Sequence, residues 1–196
     1  VPPTAADPVP ALDEDRVSTV LTEVAECLSA ADSASSTDAL APRVSGLVAR
    51  ARGIQYQLAS ALADPGQIDE LPTTATVAYV TVGPEFPRIA FVVTAPGADG
   101  LPRLLVLVQA SARTNFELVE YTKLLPGARL PDMANLESGA ASVPPDAAGL
   151  VALPQDVPEM YADVLNDLDG SGHLGAFADD AFRPQVRAVR QALTES

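Results

Sequence analysis

Residues 75–124 carry the pattern that most limits how this chain can fold. Apolar and polar side chains alternate along four short segments, and turns rich in glycine and proline separate these segments. Alternation is typical of strands with one exposed face, because successive side chains of a strand point to opposite faces of its sheet. Tight turns join antiparallel neighbours, whereas parallel strands need long crossovers. The pattern therefore predicts four consecutive antiparallel strands.

The third and fourth segments of this run differ in pattern. Leu104–Val108 is apolar at every position, which predicts a central strand covered by helices on one face. The fourth segment alternates and is expected to divide its side chains between two faces. One face would receive Phe116, Leu118 and Glu120, and the other Glu117, Val119 and Tyr121.

Two amphipathic helices are predicted before the strands. Asp13 can cap the first helix, whose apolar stripe runs from Val17 to Leu28 at helical spacing. Pro42 suits the start of the second helix, and residues 64–66 suit its end. The residues expected to bury the second helix share one of its faces: Val44, Leu47, Val48, Ala51, Leu58 and Leu62.

The other side of the second helix carries Arg43, Arg50 and Arg52. Charged side chains on a helix usually form a solvated face that pairs with surrounding acids. Because the chain is rich in acids, we expect these arginines to be solvent-exposed, with ligand binding as the alternative.

The predicted fold class is thus α+β, with N-terminal helices packed on a curved antiparallel sheet of about four strands and with C-terminal helices. The predicted organisation is a Pro-rich leader at 1–12, a helix-plus-sheet domain at 13–131, a loop at 132–149 and a helical segment at 150–196. Helices are expected near 154–165 and 184–193, in the same helix–loop–proline–helix order as the first two. The last segment is therefore either the opening of a second copy of the domain or a chance resemblance between helix pairs.

The two ends of the sequence suggest a longer parent protein. The chain begins with Val1 rather than Met, and its last predicted helix has an apolar stripe with no sheet downstream to cover it. We expect that an upstream segment has been removed and that the parent protein continues past Ser196.

The charge of the chain excludes some partners. Acidic residues outnumber basic ones, 26 to 12, which gives a net charge of −14. Such a chain would repel nucleic-acid phosphates and an anionic membrane surface. No apolar run approaches the roughly 20 residues that span a bilayer. We therefore expect no nucleic-acid partner and no direct membrane insertion by this segment.

Catalytic groups are scarce in the sequence. Cys27 is the single cysteine and His173 the single histidine, so an internal disulfide and a cysteine-based zinc site are excluded. Cys27 shares a helical face with Val20 and Val24, which favours an inert packing role. His173 lies in a glycine-rich loop and is expected at the surface. We predict no enzyme activity, no catalytic residue and no cofactor.

One loop imitates the start of a calcium-binding motif. Asp167, Asp169 and Ser171 occupy positions one, three and five of that motif, with Gly172 at the sixth. The twelfth position, which requires a bidentate Glu, is Ala178. A solvated loop is therefore expected, with calcium as a weak alternative and no other metal site.

Five short segments carry a family resemblance that spans residues 13–190. They are Ala41–Gly46, Gln109–Arg113, Leu124–Gly127, Tyr161–Leu165 and Phe177–Arg183. On these segments the chain resembles an uncharacterised family of actinobacterial secreted proteins and lipoproteins, a domain of unknown function. That resemblance implies a cone-like fold similar to nuclear-transport-factor-like and cystatin-like domains.

The resemblance also implies a place and a role. It implies an extracytoplasmic domain of a cell-envelope lipoprotein, membrane-anchored through a lipid-bearing cysteine that this sequence does not contain. The implied role is binding or scaffolding, with an envelope protein or the cell wall as partner. The family resemblance supplies no catalytic residue, and fold analogy alone does not establish function.

An alternative function uses the interior of the cone. Cone-shaped folds can hold a small molecule inside the curved sheet, so a small-molecule-binding domain or weak enzyme is the second hypothesis. Its polar handles would be Tyr56, Tyr79, Glu120 and Tyr121. The opposing interpretation is that these aromatic residues pack a small core.

Overall fold

The computed structural model describes residues 10–128, 130, 136 and 138–195. These residues form an α+β protein with a four-stranded antiparallel sheet, which confirms the predicted fold class. The predicted cone-like curvature remains a prediction. The leader predicted at 1–12 falls largely on residues outside the described part, as does part of the loop predicted at 132–149.

The described elements follow the predicted order. The helices are α1 (Glu14–Ala34), α2 (Gly46–Leu62), α3 (Val157–Asp167) and α4 (Phe182–Glu195). The strands are β1 (Ala75–Val80), β2 (Arg88–Thr94), β3 (Arg103–Gln109) and β4 (Glu117–Lys123), in the spatial order β1-β2-β3-β4. Among these described helices, none combines the length and the apolar character that crossing a bilayer requires.

The chain divides into two compact units. The first unit takes the described residues of Val1–Leu124 and Pro131–Ala141, which include α1, α2 and the whole sheet. The second takes those of Leu125–Leu130 and Ser142–Ser196, which include α3 and α4. The domain boundaries predicted from the sequence, and the repeat of the first domain, stay predictions.

Helix α1 forms as its sequence predicts. The Asp13 side chain accepts a hydrogen bond from the backbone N–H of Arg16 at 2.8 Å, which satisfies a donor that the first turn leaves open. The helix ends at Ser35, whose left-handed backbone (φ 47°) lets its N–H reach the carbonyls of the last turn. The buried stripe consists of Val17, Val20, Leu21, Val24, Leu28 and Ala31.

The core of the first unit lies on one face of the sheet, here called the inner face. Its central side chains are fully buried and come from three strands: Ala90, Val92, Leu105, Leu107 and Leu118. The buried stripe of α1 and the buried side of α2 join the same core. The opposite face of the sheet is here called the outer face.

A bulge in β4 changes which face its last residues occupy. Leu118 pairs with Leu107 and Glu120 pairs with Val106, so Val119 is the extra residue between them. One extra residue reverses the facing of every residue beyond it. Glu120 therefore lies on the outer face, and Tyr121, opposite Leu105, lies on the inner face. The simple alternation predicted for this strand is wrong beyond Leu118.

Helix α2 begins later than Pro42 predicts. Residues 43–45 lie beside β4 instead, where Leu118 N–H donates to the Arg43 carbonyl at 2.8 Å and Ser45 N–H donates to the Leu118 carbonyl at 3.0 Å. The N–H and the carbonyl of Leu118, on the edge of β4, both gain hydrogen-bond partners in this arrangement. The helix then starts at Gly46, whose backbone has φ +60°.

The edge of β1 is also paired along part of its length. Ala140 N–H donates to the Val80 carbonyl at 2.9 Å, and Val82 N–H donates to the Ala140 carbonyl at 3.0 Å. Ala11 N–H donates to the Thr81 carbonyl at 3.2 Å. Segments from distant parts of the sequence thus cover part of both outer edges of the sheet.

Candidate functional site

The buried side of α2 is polar at its centre. Arg52 is only 2% exposed, and Val48 and Tyr56, one turn to either side, are buried with it. Nη1 of Arg52 donates to the Asp69 carbonyl at 2.7 Å and to Oε1 of Gln55 at 2.9 Å. A buried guanidinium is stable only with such partners. The predicted solvent exposure of this arginine is therefore wrong.

Two of the predicted handle residues meet this arginine network. The Tyr56 hydroxyl donates to Oδ1 of Asp32 at 2.7 Å, and Nε of Arg52 lies 3.5 Å from the same oxygen. The Tyr121 hydroxyl donates to Oδ2 of Asp69 at 3.4 Å. Burial, with the neighbouring carboxylates, raises the pKa of both phenols above their ordinary value. Both tyrosines are therefore neutral hydrogen-bond donors at physiological pH.

The other two handle residues lie on the opposite face of the sheet. Tyr79 pairs with Phe91, Phe91 with Val106, and Val106 with Glu120, so the four residues form one row across the outer face. Adjacent strands lie about 4.8 Å apart, which places Tyr79 and Glu120 roughly 14 Å from each other. The structure therefore joins Tyr56 and Tyr121 through one network and separates them from Tyr79 and Glu120.

A cavity of about 400 Å³ opens beside Tyr56. Its polar lining includes Asp32, Ser35, Ser60 and Asp64. The C-cap residues of α1 and α2, Ser35 and Ala63, both line this cavity, so the C-terminal ends of two helices lie beside it. Helix C-termini carry partial negative charge. The cavity is therefore suited to a ligand that donates hydrogen bonds or carries positive charge.

A second cavity, of about 410 Å³, lies between α1 and β1. Both apolar and polar side chains of α1 line one side, and residues 73–76 line the other with small and hydroxyl-bearing side chains.

The exposed side of α2 carries a long apolar stripe, here called the α2 stripe. Four aliphatic side chains are 44–61% exposed, namely Leu47, Ile54, Leu58 and Leu62. Their spacing of seven, four and four residues places them on one side of the helix. At 1.5 Å per residue the stripe is about 22 Å long.

The exposure of the α2 stripe corrects the predicted facing of this helix. The sequence predicts that Leu47, Leu58 and Leu62 bury α2, whereas the residues that do so are Val48, Arg52 and Tyr56. Apolar residues cover more than one side of α2, so the period alone does not select the buried side. The signal was available in the excess of aliphatic residues over what one buried face needs.

The residues of the imitated calcium loop have protein partners in the second unit. Oδ1 of Asp169 accepts from Arg187 at 2.9 Å, and the Ser171 hydroxyl donates to Asp163 at 2.5 Å. Asp167 lies against Gly170, where an added Cβ would be 2.7 Å from its carboxylate. Among the residues that the structure describes, no group of three or more His, Cys, Asp or Glu is arranged to hold a metal ion.

The two nucleophile or base candidates have ordinary surroundings. Sγ of Cys27 donates to the Leu40 carbonyl at 2.8 Å, and burial raises the pKa of the thiol. A protonated thiol is a poor nucleophile. His173 is exposed, and its backbone N–H donates to the Ser171 hydroxyl at 3.1 Å.

Two segments of the family resemblance meet within the second unit. The rings of Tyr161 and Phe177 lie 5.0 Å apart at 59°, a favourable tilted arrangement. The Tyr161 hydroxyl donates to Oδ2 of Asp180 at 3.0 Å, and Arg183 pairs with the same oxygen at 2.8 Å. These contacts within the protein account for Tyr161, Phe177, Asp180 and Arg183 without a bound ligand.

Comparisons of the chain with protein-family models, with curated proteins and with solved structures found no match. The α2 stripe, with four exposed aliphatic side chains on one side of a single helix, is the first candidate site among the described residues. The cavity beside Tyr56 is the second candidate.

Proposed function

We propose that this protein is a non-catalytic binding or scaffold domain and that the α2 stripe is its binding surface. The observation that carries this proposal is the exposure of Leu47, Ile54, Leu58 and Leu62 along one side of a single helix. Contiguous exposed apolar surface with a polar rim is characteristic of interaction sites. Arg50 and Gln57 supply such a rim.

The energetics of the α2 stripe favour a bound partner. Full burial of a leucine side chain contributes about 1.5–3 kcal/mol, so a side chain that is already half-buried would contribute roughly half of that on binding. The network of Arg52 holds the buried side of α2 in place, so the stripe is presented on a rigid element. A rigid surface loses little conformational entropy when it binds.

The cellular location belongs to the same proposal. The family resemblance supports an extracytoplasmic domain of an actinobacterial envelope lipoprotein, with a membrane anchor in the full-length protein. The partner would then be another envelope protein or a cell-wall component. Fractionation of the native organism tests this location, and full-length protein found only in the soluble cytosol would contradict it.

The binding role can be tested without knowledge of the partner. A displayed library of helical peptides would be selected on the wild-type protein, and the selected peptides would be measured on Leu58→Asp. We expect binding to fall at least about tenfold, because the variant places a charge where an apolar side chain should be buried.

A matched control separates the α2 stripe from exposed apolar surface in general. Leu150 is 56% exposed, almost the same as Leu47 at 55%, but lies in the second unit. Leu150→Asp should leave peptide binding unchanged. If every selected peptide binds Leu58→Asp as well as it binds the wild type, the α2 stripe is not the binding surface.

The cavity beside Tyr56 supports a second candidate, a small-molecule-binding domain. The carboxylates of Asp32 and Asp64 are part of its lining, and its volume of about 400 Å³ suits a small ligand. A thermal-shift screen with alkylammonium and guanidinium compounds would test it. Ser60→Leu should abolish any shift by filling the cavity, and the absence of a shift for wild-type protein with all compounds would reject this candidate.

A further inference from the structure

Helix α2 differs in charge from the other helices. The chain has a net charge of −14, so two copies repel each other over most of their surfaces. Helix α2 contains no acidic residue and carries Arg50 and Arg52, whereas α1 and α3 are net acidic and α4 combines three arginines with Glu195. Acidic side chains of the helix itself therefore do not oppose contact between copies along α2.

The α2 stripe also has a geometry that a copy of itself can match. Ile54, Leu58 and Leu62 form a ridge at four-residue spacing, and Leu47 and Ala51 form a neighbouring ridge with the same spacing. When two such ridges interdigitate, the helices cross at about −50°, and each helix contributes the same class of ridge. Two identical helices related by a twofold axis satisfy this condition.

We propose that the α2 stripe binds the α2 stripe of a second copy of this chain. The inference rests on the proposed binding role of the stripe and names its occupant. A basic partner would be better served by an acidic rim, and an acidic partner by more cations than Arg50 supplies. A neutral, self-complementary stripe on an otherwise acidic protein is suited to its own copy.

The size of the stripe sets the strength of the association. A stable interface buries roughly 800 Å² on each partner, which is about 20–30 residues a side. The α2 stripe is one helix wide and offers four large side chains, so it falls below that size. The dimer is therefore reversible, and its population depends on protein concentration.

Sedimentation equilibrium of the whole chain over a wide concentration range tests the proposal. We expect wild-type protein to pass from monomer to dimer, Leu58→Asp to weaken that association at least about tenfold, and Leu150→Asp to leave it unchanged. Higher salt should strengthen the dimer, because salt screens the repulsion between two acidic copies.

Cross-linking tests the geometry of the dimer. In a Cys27→Ser background, Ile54→Cys should form a disulfide-linked dimer under mild oxidation, because Ile54 lies near the middle of the stripe. Ser29→Cys, an exposed position on α1, should not.

The outcomes separate this inference from the proposed function. Wild-type protein that stays monomeric at every concentration overturns the dimer, and so does a dimer that Leu58→Asp leaves intact. In either case, peptides selected on the wild type that fail to bind Leu58→Asp would still support the binding role of the stripe. The proposed function fails separately, when no such peptides are found.

Discussion

Gly46 lies so close to Val119 that a Cβ on the glycine would stand 2.9 Å from the Val119 carbonyl oxygen. Gly46 opens α2, and Val119 is the bulged residue of β4, so the start of the helix sits directly on the bulge. The left-handed backbone at Gly46 (φ +60°) adds a second reason for glycine there. The two features that sequence patterns missed, the bulge and the late helix start, are therefore one contact.

Gly46→Ala should destabilise the first unit by about 1–3 kcal/mol, because the new methyl group meets backbone and the residue keeps a disfavoured conformation. Urea unfolding followed by circular dichroism measures this change. Gly97→Ala is the control, since its Cβ would lie 3.4 Å from a proline ring carbon, an ordinary contact. Equal effects of the two substitutions would contradict the close approach.

Arg52→Met should destabilise the first unit by about 2–3 kcal/mol, because the Asp69 carbonyl and the Gln55 amide lose a charged donor. Arg52→Lys should recover only part of this loss, since a single ammonium nitrogen cannot replace both Nη1, beside Gln55 and Asp69, and Nε, beside Asp32. Arg50→Met, on the exposed side of the same helix, should stay within about 0.5 kcal/mol of the wild type. Unfolding free energies are measured by urea titration. If Arg52→Met is as stable as Arg50→Met, Arg52 is dispensable for the fold.

The ion pair of Asp99 and Arg103 predicts a dependence of stability on pH. Hydrogen bonds from Arg103 and from the Leu101 N–H hold the pKa of Asp99 well below its usual range. A carboxyl whose pKa is lower in the folded state contributes its stabilisation above its unfolded pKa, roughly 3.9, and loses it as the pH falls towards the folded pKa.

Asp99→Asn should remove this dependence. At pH 7 the variant should be less stable than the wild type, and the difference should shrink as the pH falls below about 4. Thermal unfolding at a series of pH values provides the measurement. A difference that stays constant down to the lowest accessible pH would show that the carboxylate charge is not what stabilises this turn.

The two sides of α2 predict opposite responses to truncation. Val48 is 2% exposed and Leu62 is 61% exposed. Val48→Ala should cost about 1–3 kcal/mol of unfolding free energy, whereas Leu62→Ala should change it by less than about 0.5 kcal/mol. If Leu62→Ala proved the costlier change, the side of α2 that carries Leu62 would be the one packed against the core.

The helices and strands of the first unit were largely predictable, because their signals are local. Asp13 caps α1 as expected, and the apolar stripe from Val17 to Leu28 is buried. Leu104–Val108, predicted as a central strand, lies within β3, between β2 and β4. Periods of 3.6 and 2 residues are properties of the nearby chain and need no tertiary knowledge.

The candidate site was less predictable, because it depends on contacts between distant residues. Arg52 is buried since Asp69 and Asp32, far away in the sequence, supply its partners. Nothing in the spacing of Leu47, Leu58 and Leu62 reveals that α2 turns them outward. The residues around Val119 look the same in sequence as those of a strand without a bulge. Alternation alone therefore assigns Tyr121 to the wrong face.

The paired edges of the sheet have a consequence for how this protein resists aggregation. Exposed strand edges are templates on which other chains add strands and grow into fibres. Here the Ala140 and Ala11 segments cap part of one edge, and residues 43–45 cap part of the other. Intermolecular strand addition would first have to displace these segments. At high local protein concentration these segments therefore hinder polymerisation through the covered parts of the sheet edges.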